Sequence, residues 1–228
     1  MKVYGITGGA GTGKSEVIKM LQENFGGCVI MSDEVARELM QKGNISYQLI
    51  VEYFGRDILM DDGEIDRKKL ADHVFNNKEA LEKLNSMTHP YVKDEIRKLI
   101  AEAEASGECR FVALESAILL ECGYEDICDE FWYVYTKPEI RRQRMKETRN
   151  YSDEKVDSVM RNQQPDEVFF EQCSFVIKNN TTFAFVSLME NGERDFEFAR
   201  DADECLTFDM ISDRLEEFDL YHFGSATA

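Results

Sequence analysis

Short apolar runs alternate with longer amphipathic stretches along most of the chain. Residues 2–7, 28–31, 110–114, 131–135 and 175–177 are rich in β-branched and aromatic side chains, and each run predicts a strand. Polar stretches with helical spacing separate these runs. Strands that alternate with helices are typical of a parallel sheet with crossover helices. The pattern therefore predicts an α/β protein.

The longest helical stretch lies between the second and third predicted strands. Within it, residues 78–88 have the spacing of one helix. Proline is favoured in the first turn of a helix, and an apolar stripe from Val92 to Ala103 follows Pro90. We therefore expect a second helix to begin at Pro90.

Two polar helices are predicted between residues 138 and 163. Asn150 divides them, and Ser152 is a suitable N-cap for the second, because a serine hydroxyl can accept a hydrogen bond from the first turn. The last stretch with any helical pattern is residues 211–221, which predict an amphipathic helix near the end of the chain.

Charge narrows the range of partners. The 228 residues include 45 acidic and 27 basic side chains, for a formal net charge of −18, and residues 183–228 alone hold 12 acidic and 3 basic ones. A field of this sign repels polyanions, so we expect no nucleic-acid partner and no membrane partner. An anionic substrate would have to be bound by locally clustered basic residues.

The sequence also predicts where the protein is located and whether its cysteines are reduced. No run approaches the roughly 18 apolar residues of a membrane-spanning helix, and glycines interrupt the first apolar run, unlike a signal peptide. We expect one soluble, cytoplasmic α/β domain with insertions. Six cysteines without CxxC spacing are interpreted as reduced thiols, and only three histidines argue against a zinc site.

A phosphate-binding signature lies between the first strand and the first helix. The residues that fit G-x-x-x-x-G-K-[ST] are Gly8, Gly9, Ala10, Gly11, Thr12, Gly13, Lys14 and Ser15. Glycines let the backbone curl so that N–H groups point at phosphate oxygens, and the following helix adds the positive end of its dipole. In this motif Lys14 reaches the β- and γ-phosphates, and the Ser15 hydroxyl ligates Mg²⁺. The sequence therefore predicts ATP and Mg²⁺ as cofactors.

Other motifs narrow the class of phosphate-loop protein. A switch-type GTPase requires a base-reading N-K-x-D segment, which the chain lacks, whereas the length suits a small-molecule kinase. An ordered series of motifs resembles the dephospho-CoA kinase family. The series consists of residues 6–15, 32–37, 53–59, 62–67, 74–75, 84–90, 118–121, 143–144, 163 and 176–179.

This resemblance implies a three-layer α/β/α P-loop kinase fold, with a helical acceptor-binding insertion and a helical lid. It implies a nucleotide-binding core of residues 1–36, 108–137 and 164–228, an insertion of residues 37–107, and a lid of residues 138–163. The implied reaction is ATP-dependent phosphorylation of the ribose 3′-hydroxyl of dephospho-CoA, giving coenzyme A and ADP. The oligomeric state is left open.

The resemblance also implies catalytic roles. Asp33 would orient or deprotonate the acceptor hydroxyl, although an aspartate here could instead be the N-cap of the following helix. Arg144 and Arg149 lie in the densest basic cluster of the chain, Arg141 to Arg149. Together with Lys14, these two arginines would stabilise the charge of the transferring phosphoryl group.

Further residues would bind the two substrates. Glu16 and Asn179 are expected to complete the nucleotide site. The residues expected on the acceptor side are Asp33, Arg37, Arg67 and His89. A histidine before proline is often a turn residue, which is the alternative for His89. Glu115, at the end of a strand, would orient Mg²⁺ through water or would instead have a structural partner.

Departures from the family pattern leave two other functions open. Met31 stands where the family usually has the first of two aspartates, Ala117 replaces a usual proline, and Cys173-Ser174 replaces Ala-Asp. These changes permit a related P-loop kinase with a changed small-molecule acceptor. They also permit a non-catalytic nucleotide- or CoA-binding regulatory protein, in which the acidic tail would carry the role.

Overall fold

A parallel five-stranded sheet forms the centre of the computed structural model, which describes residues 1–75, 77–180 and 210–216. The strands are β1 Lys2–Thr7, β2 Gly27–Met31, β3 Phe111–Glu115, β4 Glu130–Tyr135 and β5 Phe175–Lys178. Their order in the sheet is β2-β3-β1-β4-β5, and every neighbouring pair is parallel. The predicted α/β class with a parallel sheet is confirmed.

Eight α-helices lie within the described residues up to 180 and connect or flank these strands. They are α1 Lys14–Phe25, α2 Ser32–Leu39, α3 Ile45–Phe54, α4 Arg67–Val74, α5 Lys78–Ser106, α6 Pro138–Arg149, α7 Asp153–Arg161 and α8 Asp166–Gln172. Short 3₁₀ turns occur at Arg56–Ile58 and Tyr124–Asp126. The predicted N-cap of α7 is confirmed, because the Ser152 hydroxyl accepts a hydrogen bond from the Lys155 amide.

Helices cover both faces of the sheet, as a parallel sheet requires. On one face the apolar side of α1, including Leu21, packs with Tyr4 and Trp132. On the other face Ile96 of α5 packs with Leu114. The helical segment between β2 and β3 has a small core of its own, whose buried members are Ile50, Ile58, Ile65, Leu70 and Met87. These layers hold the carboxyl ends of the strands in fixed positions.

The predicted helix boundary at Pro90 is wrong. The helix α5 runs without interruption from Lys78 to Ser106, with Pro90 inside it. Proline removes one hydrogen bond and crowds the preceding turn, yet the buried residues Met87 and Val92 hold the helix in place on either side of it. The helix begins at Lys78, as predicted for the first helix, and its N-cap is Asn77, whose side chain accepts a hydrogen bond from the Ala80 amide at 3.1 Å.

One cysteine pair also differs from expectation. A disulfide joins Cys28 to Cys109, with the Cα atoms 5.5 Å apart, so the prediction of reduced thiols is wrong for these two residues. The free cysteines of the described part are Cys122, Cys128 and Cys173. Cys205 lies outside the described residues.

The predicted helix near the end of the chain is described in part. Residues 210–216 are helical, and the rest of the predicted stretch, residues 217–221, lies outside the described residues. Ile211 and Leu215 of this segment are buried in the same cluster as Trp132. Among the helices that the structure describes, none is long and apolar enough to span a membrane.

Candidate active site

Three strands end side by side and deliver the main candidate residues. In the sheet register Ile6 of β1 and Met31 of β2 both lie beside Glu115 of β3. The phosphate loop follows β1, and Asp33 follows β2 by two residues. Polar groups carried by parallel strands therefore meet at one edge of the sheet, which is where open α/β folds bind ligands.

The phosphate loop has the backbone geometry that its glycines permit. Gly8, Gly11 and Gly13 adopt φ angles of +154°, +79° and +81°, which disfavour residues with a Cβ. Gly13 is the N-cap of α1 and contributes no side chain, so the first-turn amides face the loop without a side-chain partner. The Thr12 side chain turns inward, and its hydroxyl lies 2.9 Å from the carbonyl oxygen of Gly9.

Lys14 is already paired within this site. Its ammonium group donates a hydrogen bond to the Glu115 carboxylate, and both side chains are largely buried. Glu115 therefore has a structural partner, and that partner is the lysine expected to bind phosphate. The pair places a carboxylate next to the Ser15 end of the loop without leaving a buried charge unpaired.

A cleft of 740 Å³ opens above the loop. Most of the predicted catalytic and nucleotide-binding residues line it: Gly8, Gly9, Ala10, Gly11, Gly13, Lys14, Ser15, Glu16, Asp33, Arg144 and Arg149. Thr12 and Asn179 are absent from its lining, and Thr12 is buried beneath it. The fold thus brings the loop, the start of α2 and the lid helix α6 around one space.

Asp33 is the second residue of α2, and its side chain is exposed in this cleft. The alternative that it is the N-cap is wrong, because the N-cap position is Met31, which has no side-chain capping hydrogen bond. Asp33 nevertheless lies in the first turn, where the helix dipole favours a negative charge. A carboxylate exposed at this point is available to an incoming acceptor hydroxyl.

Arg144 and Asn179 meet at the carbonyl oxygen of Thr12. Asn179 Nδ2 donates to the carbonyl oxygen of Thr12 at 2.9 Å, and Arg144 Nη1 lies 3.4 Å from the same oxygen. The hydroxyl of the buried Thr136 is 2.9 Å from it. Burial lowers the pKa of the Arg144 guanidinium, while the nearby Glu16 opposes that shift. Arg149, the last residue of α6, is exposed at the rim of the cleft.

The predicted acceptor-side residues other than Asp33 are spread over the helical segment and do not line the cleft. Arg37 lies one turn after Asp33 in α2, Arg67 begins α4, and His89 is inside α5. His89 Nδ1 lies 3.6 Å from Cys122 Sγ, and burial lowers the pKa of the imidazole. His89 is therefore a helix residue, and the turn alternative is wrong.

Sequence reasoning did not single out Arg141, the most buried charged side chain of the lid, with 5% relative exposure. Its guanidinium contacts Ala10 of the loop and both Gln163 and Asp166 beyond α7. The sequence did contain one indication of a role for Arg141. It lies three residues before Arg144 in the same predicted helix, and residues at this spacing lie near the same face.

Comparison with known proteins identifies the family. A family model described as dephospho-CoA kinase matches residues 2–184 of the chain. The chain belongs to the dephospho-CoA kinase family. A dephospho-CoA kinase from Carboxydothermus hydrogenoformans is 38% identical over 180 residues, covering 79% of this chain and 86% of the relative. One from Lactobacillus johnsonii is 33% identical over 178 residues, covering 78% and 89%.

Two solved structures have a fold similar to that of this chain. The Thermus thermophilus protein TT1252 superposes with a TM-score of 0.65 at 27% identity, covering 85% of this chain and 98% of its own. The dephospho-CoA kinase from Campylobacter jejuni gives a TM-score of 0.60 at 26% identity, covering 84% and 97%. The P-loop kinase fold expected from the resemblance is confirmed.

Proposed function

We propose that the protein transfers the γ-phosphoryl group of MgATP to the ribose 3′-hydroxyl of dephospho-CoA, giving coenzyme A and ADP. The observation that carries this proposal is the joint lining of one cleft by Lys14, Asp33, Arg144 and Arg149, in a chain of the dephospho-CoA kinase family. The same cleft is large enough for a triphosphate and part of an acceptor, since ligand pockets commonly measure about 300–1,000 Å³.

The phosphate loop would bind and orient the nucleotide. Its inward N–H groups and the start of α1 provide positive potential for the triphosphate. Lys14 would exchange its contact with Glu115 for the β- and γ-phosphates, a short movement of a flexible four-carbon side chain. Arg144 and Arg149 would lie over the transferring group from the lid, where guanidinium groups stabilise the spread charge of the transition state.

Asp33 would act on the acceptor. Its carboxylate is exposed at the cleft and can accept the proton of the 3′-hydroxyl or hold that hydroxyl for in-line attack. Arg37, Arg67 and His89 remain proposed contacts for the rest of the acceptor. Closure of the helical segment toward the cleft would be needed to bring them to it.

The residues present fit a magnesium ion. The Ser15 hydroxyl and the Glu115 carboxylate lie at the lysine end of the loop and offer the hard oxygen ligands that Mg²⁺ prefers. When bound, the ion neutralises charge on the phosphate oxygens. Among the described residues no group of three or more His, Cys, Asp or Glu side chains forms a site for a metal, so the nucleotide would supply further ligands. A cytoplasmic location is proposed with this function.

The decisive experiment is a coupled assay of ADP release with MgATP, with and without dephospho-CoA, together with mass analysis of the product. We expect acceptor-dependent ADP and coenzyme A from the wild-type protein, and at least a 100-fold lower rate for Lys14→Ala. Lys19→Ala is the matched control, because Lys19 is an exposed lysine of the same helix that pairs with Glu23.

Other outcomes would point to the alternatives. If ADP forms only with a different small-molecule acceptor, the protein is a related kinase. The first residue to test for the changed specificity is then Met31, which stands where the family usually has the first of two aspartates. If ATP binds tightly and no acceptor yields ADP, the protein is a non-catalytic nucleotide-binding protein. Chelation of Mg²⁺ should abolish the activity if the proposed cofactor is correct.

A further inference from the structure

Arg141 holds a buried positive charge that the proposed chemistry does not use. A buried charge is unfavourable unless it is paired and hydrogen-bonded, and this guanidinium has acceptors on three sides. Nε donates to the Ala10 carbonyl oxygen at 3.1 Å, Nη1 donates to Asp166 Oδ1 at 3.2 Å, and Nη2 donates to Gln163 Oε1. The side chain is therefore fixed in one orientation.

The first of these contacts determines how the phosphate loop is oriented. The peptide group between Ala10 and Gly11 is planar and trans, so its carbonyl and its N–H point in opposite directions. Arg141, which binds this carbonyl, is not among the residues that line the cleft, whereas Ala10 and Gly11 are. The Gly11 N–H therefore points away from the Arg141 guanidinium.

A second carbonyl of the loop is held in the same way. The carbonyl oxygen of Thr12 receives the Asn179 amide and lies beside Thr136 and Arg144. By the same argument the Gly13 N–H points away from those groups. Arg141 and Asn179 thus act on two peptide units of one loop, Ala10–Gly11 and Thr12–Gly13, which are separated by a single peptide unit.

The backbone of α6 also supports the loop at Arg141. A Cβ added at Gly11 would lie 2.8 Å from the Arg141 carbonyl oxygen, and one added at Gly9 would collide with the Arg141 guanidinium and the Gln163 side chain. The segment Gly9–Gly11 therefore rests directly on Arg141. Neither glycine has room for a side chain, which shows how close this contact is.

The other side of the guanidinium connects to the sheet and to the end of the lid. Asp166, the first residue of α8, also accepts a hydrogen bond from the Tyr133 hydroxyl at 2.6 Å. Tyr133 is fully buried in β4, and its ring stacks on Phe169 with centroids 4.7 Å apart. Arg141 is therefore anchored to rigid elements and can transmit their position to the loop.

We propose that Arg141 is a positioning residue for nucleotide binding. It acts through the Ala10 carbonyl by orienting the loop before ATP arrives, and it joins the lid helix to the loop. The inference rests on the proposed nucleotide site but not on the identity of the acceptor. Arg144 and Arg149 differ from it, because they line the cleft whereas Arg141 lies under the loop.

The test compares Arg141→Lys and Arg141→Met with the wild-type protein. ATP affinity is measured by calorimetry without acceptor, and KM for each substrate, kcat and Tm are measured separately. We expect Arg141→Met to weaken ATP binding about tenfold or more, and to raise KM for ATP in proportion, since a charged hydrogen bond is lost. KM for dephospho-CoA should change less than about twofold, because the hydrogen bonds of Arg141 go to Ala10, Gln163 and Asp166 and to none of the residues proposed on the acceptor side. Arg141→Lys, which can keep one hydrogen bond, should be intermediate.

Arg142→Met is the matched control. Arg142 is the next residue of the same helix and pairs with Asp157 at 2.6 Å on the lid surface, so ATP affinity should not change. If Arg141→Met does not fold, two other measurements of ATP affinity test the inference. One uses Arg141→Ala with added methylguanidine, and the other uses Arg141→Lys. Recovery of ATP affinity with methylguanidine supports the inference, and a folded Arg141→Lys protein with wild-type affinity overturns it.

The outcomes separate this inference from the proposed function. A wild-type protein that binds ATP but leaves dephospho-CoA unchanged would refute the proposed acceptor, while the calorimetric comparison would still test Arg141. Equal ATP affinity in wild-type protein and Arg141→Met, with only a lower Tm, would show that Arg141 is merely structural. A wild-type protein that binds no ATP would overturn both proposals.

Discussion

At the scale of single residues, Asp33 gives the sharpest prediction about catalysis. Asn has nearly the same shape but cannot accept a proton, so Asp33→Asn should lower kcat by about 10²–10⁴-fold and change KM for ATP little. Steady-state kinetics with both substrates would measure this. Glu34→Gln is the control, because Glu34 is the next residue of α2 and does not line the cleft. A kcat for Asp33→Asn within threefold of wild type would contradict the catalytic role.

His89 predicts how stability depends on pH. Burial lowers the pKa of its imidazole below the ordinary 6.5, so the folded state favours the neutral form. Between the folded pKa and 6.5 the unfolded chain binds more protons, so the contribution of His89 to stability rises with pH there and is constant above 6.5. Denaturant unfolding from pH 5 to 8 should show this rise, and His89→Gln should lose it. An NMR titration midpoint for His89 at or above 6.5 would refute the argument.

The sequence predicts a role correctly for those residues whose role depends on a local motif. Lys14 and Ser15 belong to a contiguous signature, so their place beside the cleft could be predicted. The role of Arg141 could not be predicted, because its hydrogen-bond acceptors come from Ala10 and Asp166, which only the tertiary fold brings together. The N-cap alternative for Asp33 failed because α2 begins at Ser32, which places Asp33 inside the first turn.

At the scale of elements, the strands were the most predictable part. The observed strand bounds lie within one residue of those predicted. The central strands β1 and β3 are buried along nearly their whole length, so their sequences are continuous apolar runs. Pro90 was the main error. Local propensity favours a break there, and the packing of α5 against the sheet and the small helical core overrides it.

This error suggests a test on α5. Pro90→Ala restores a backbone N–H inside the helix and removes a ring that crowds the preceding turn, so the free energy of unfolding should increase, by up to about 3 kcal/mol. Pro90 is exposed, so alanine leaves no cavity. Chemical denaturation would measure the change. Pro138→Ala is the control, because Pro138 is at the first position of α6, where proline is favourable. A loss of stability in Pro90→Ala would show that the helix requires a bend at this residue.

At the scale of the whole molecule, the cleft is less acidic than the chain that carries it. The chain has a formal net charge of −18, whereas the charged side chains that line the cleft are three basic ones, Lys14, Arg144 and Arg149, and three acidic ones, Glu16, Asp33 and Glu121. Local basic groups and the start of α1 can hold a triphosphate even though the distant field opposes it, because salt screens exposed charges beyond roughly 8–10 Å. This arrangement could be anticipated from composition and the loop motif together. The disulfide between Cys28 and Cys109 could not, since they lie 81 residues apart in sequence.

The last part of the chain extends the core beyond the family match. The match ends at residue 184, whereas Ile211 and Leu215 are buried with Trp132 and Ile177 on the α1 side of the sheet. Arg214 pairs with Glu130 at 3.0 Å, and Glu130 also accepts the indole N–H of Trp132. This segment therefore completes the covering of β4 and contacts the neighbourhood of the single tryptophan of the chain.

Removing one of these buried side chains should therefore destabilise the whole domain. Ile211 is fully buried, so Ile211→Ala leaves a cavity and should lower the free energy of unfolding by about 2–5 kcal/mol. Asp213→Ala, at an exposed position of the same segment, should change it by less than about 0.5 kcal/mol. Trp132 fluorescence followed through denaturant unfolding measures both. If Ile211→Ala unfolds at the wild-type denaturant concentration, the segment does not contribute to the core in solution. If it unfolds earlier, while ATP affinity at low denaturant is unchanged, residues 210–216 stabilise the sheet without taking part in the nucleotide site.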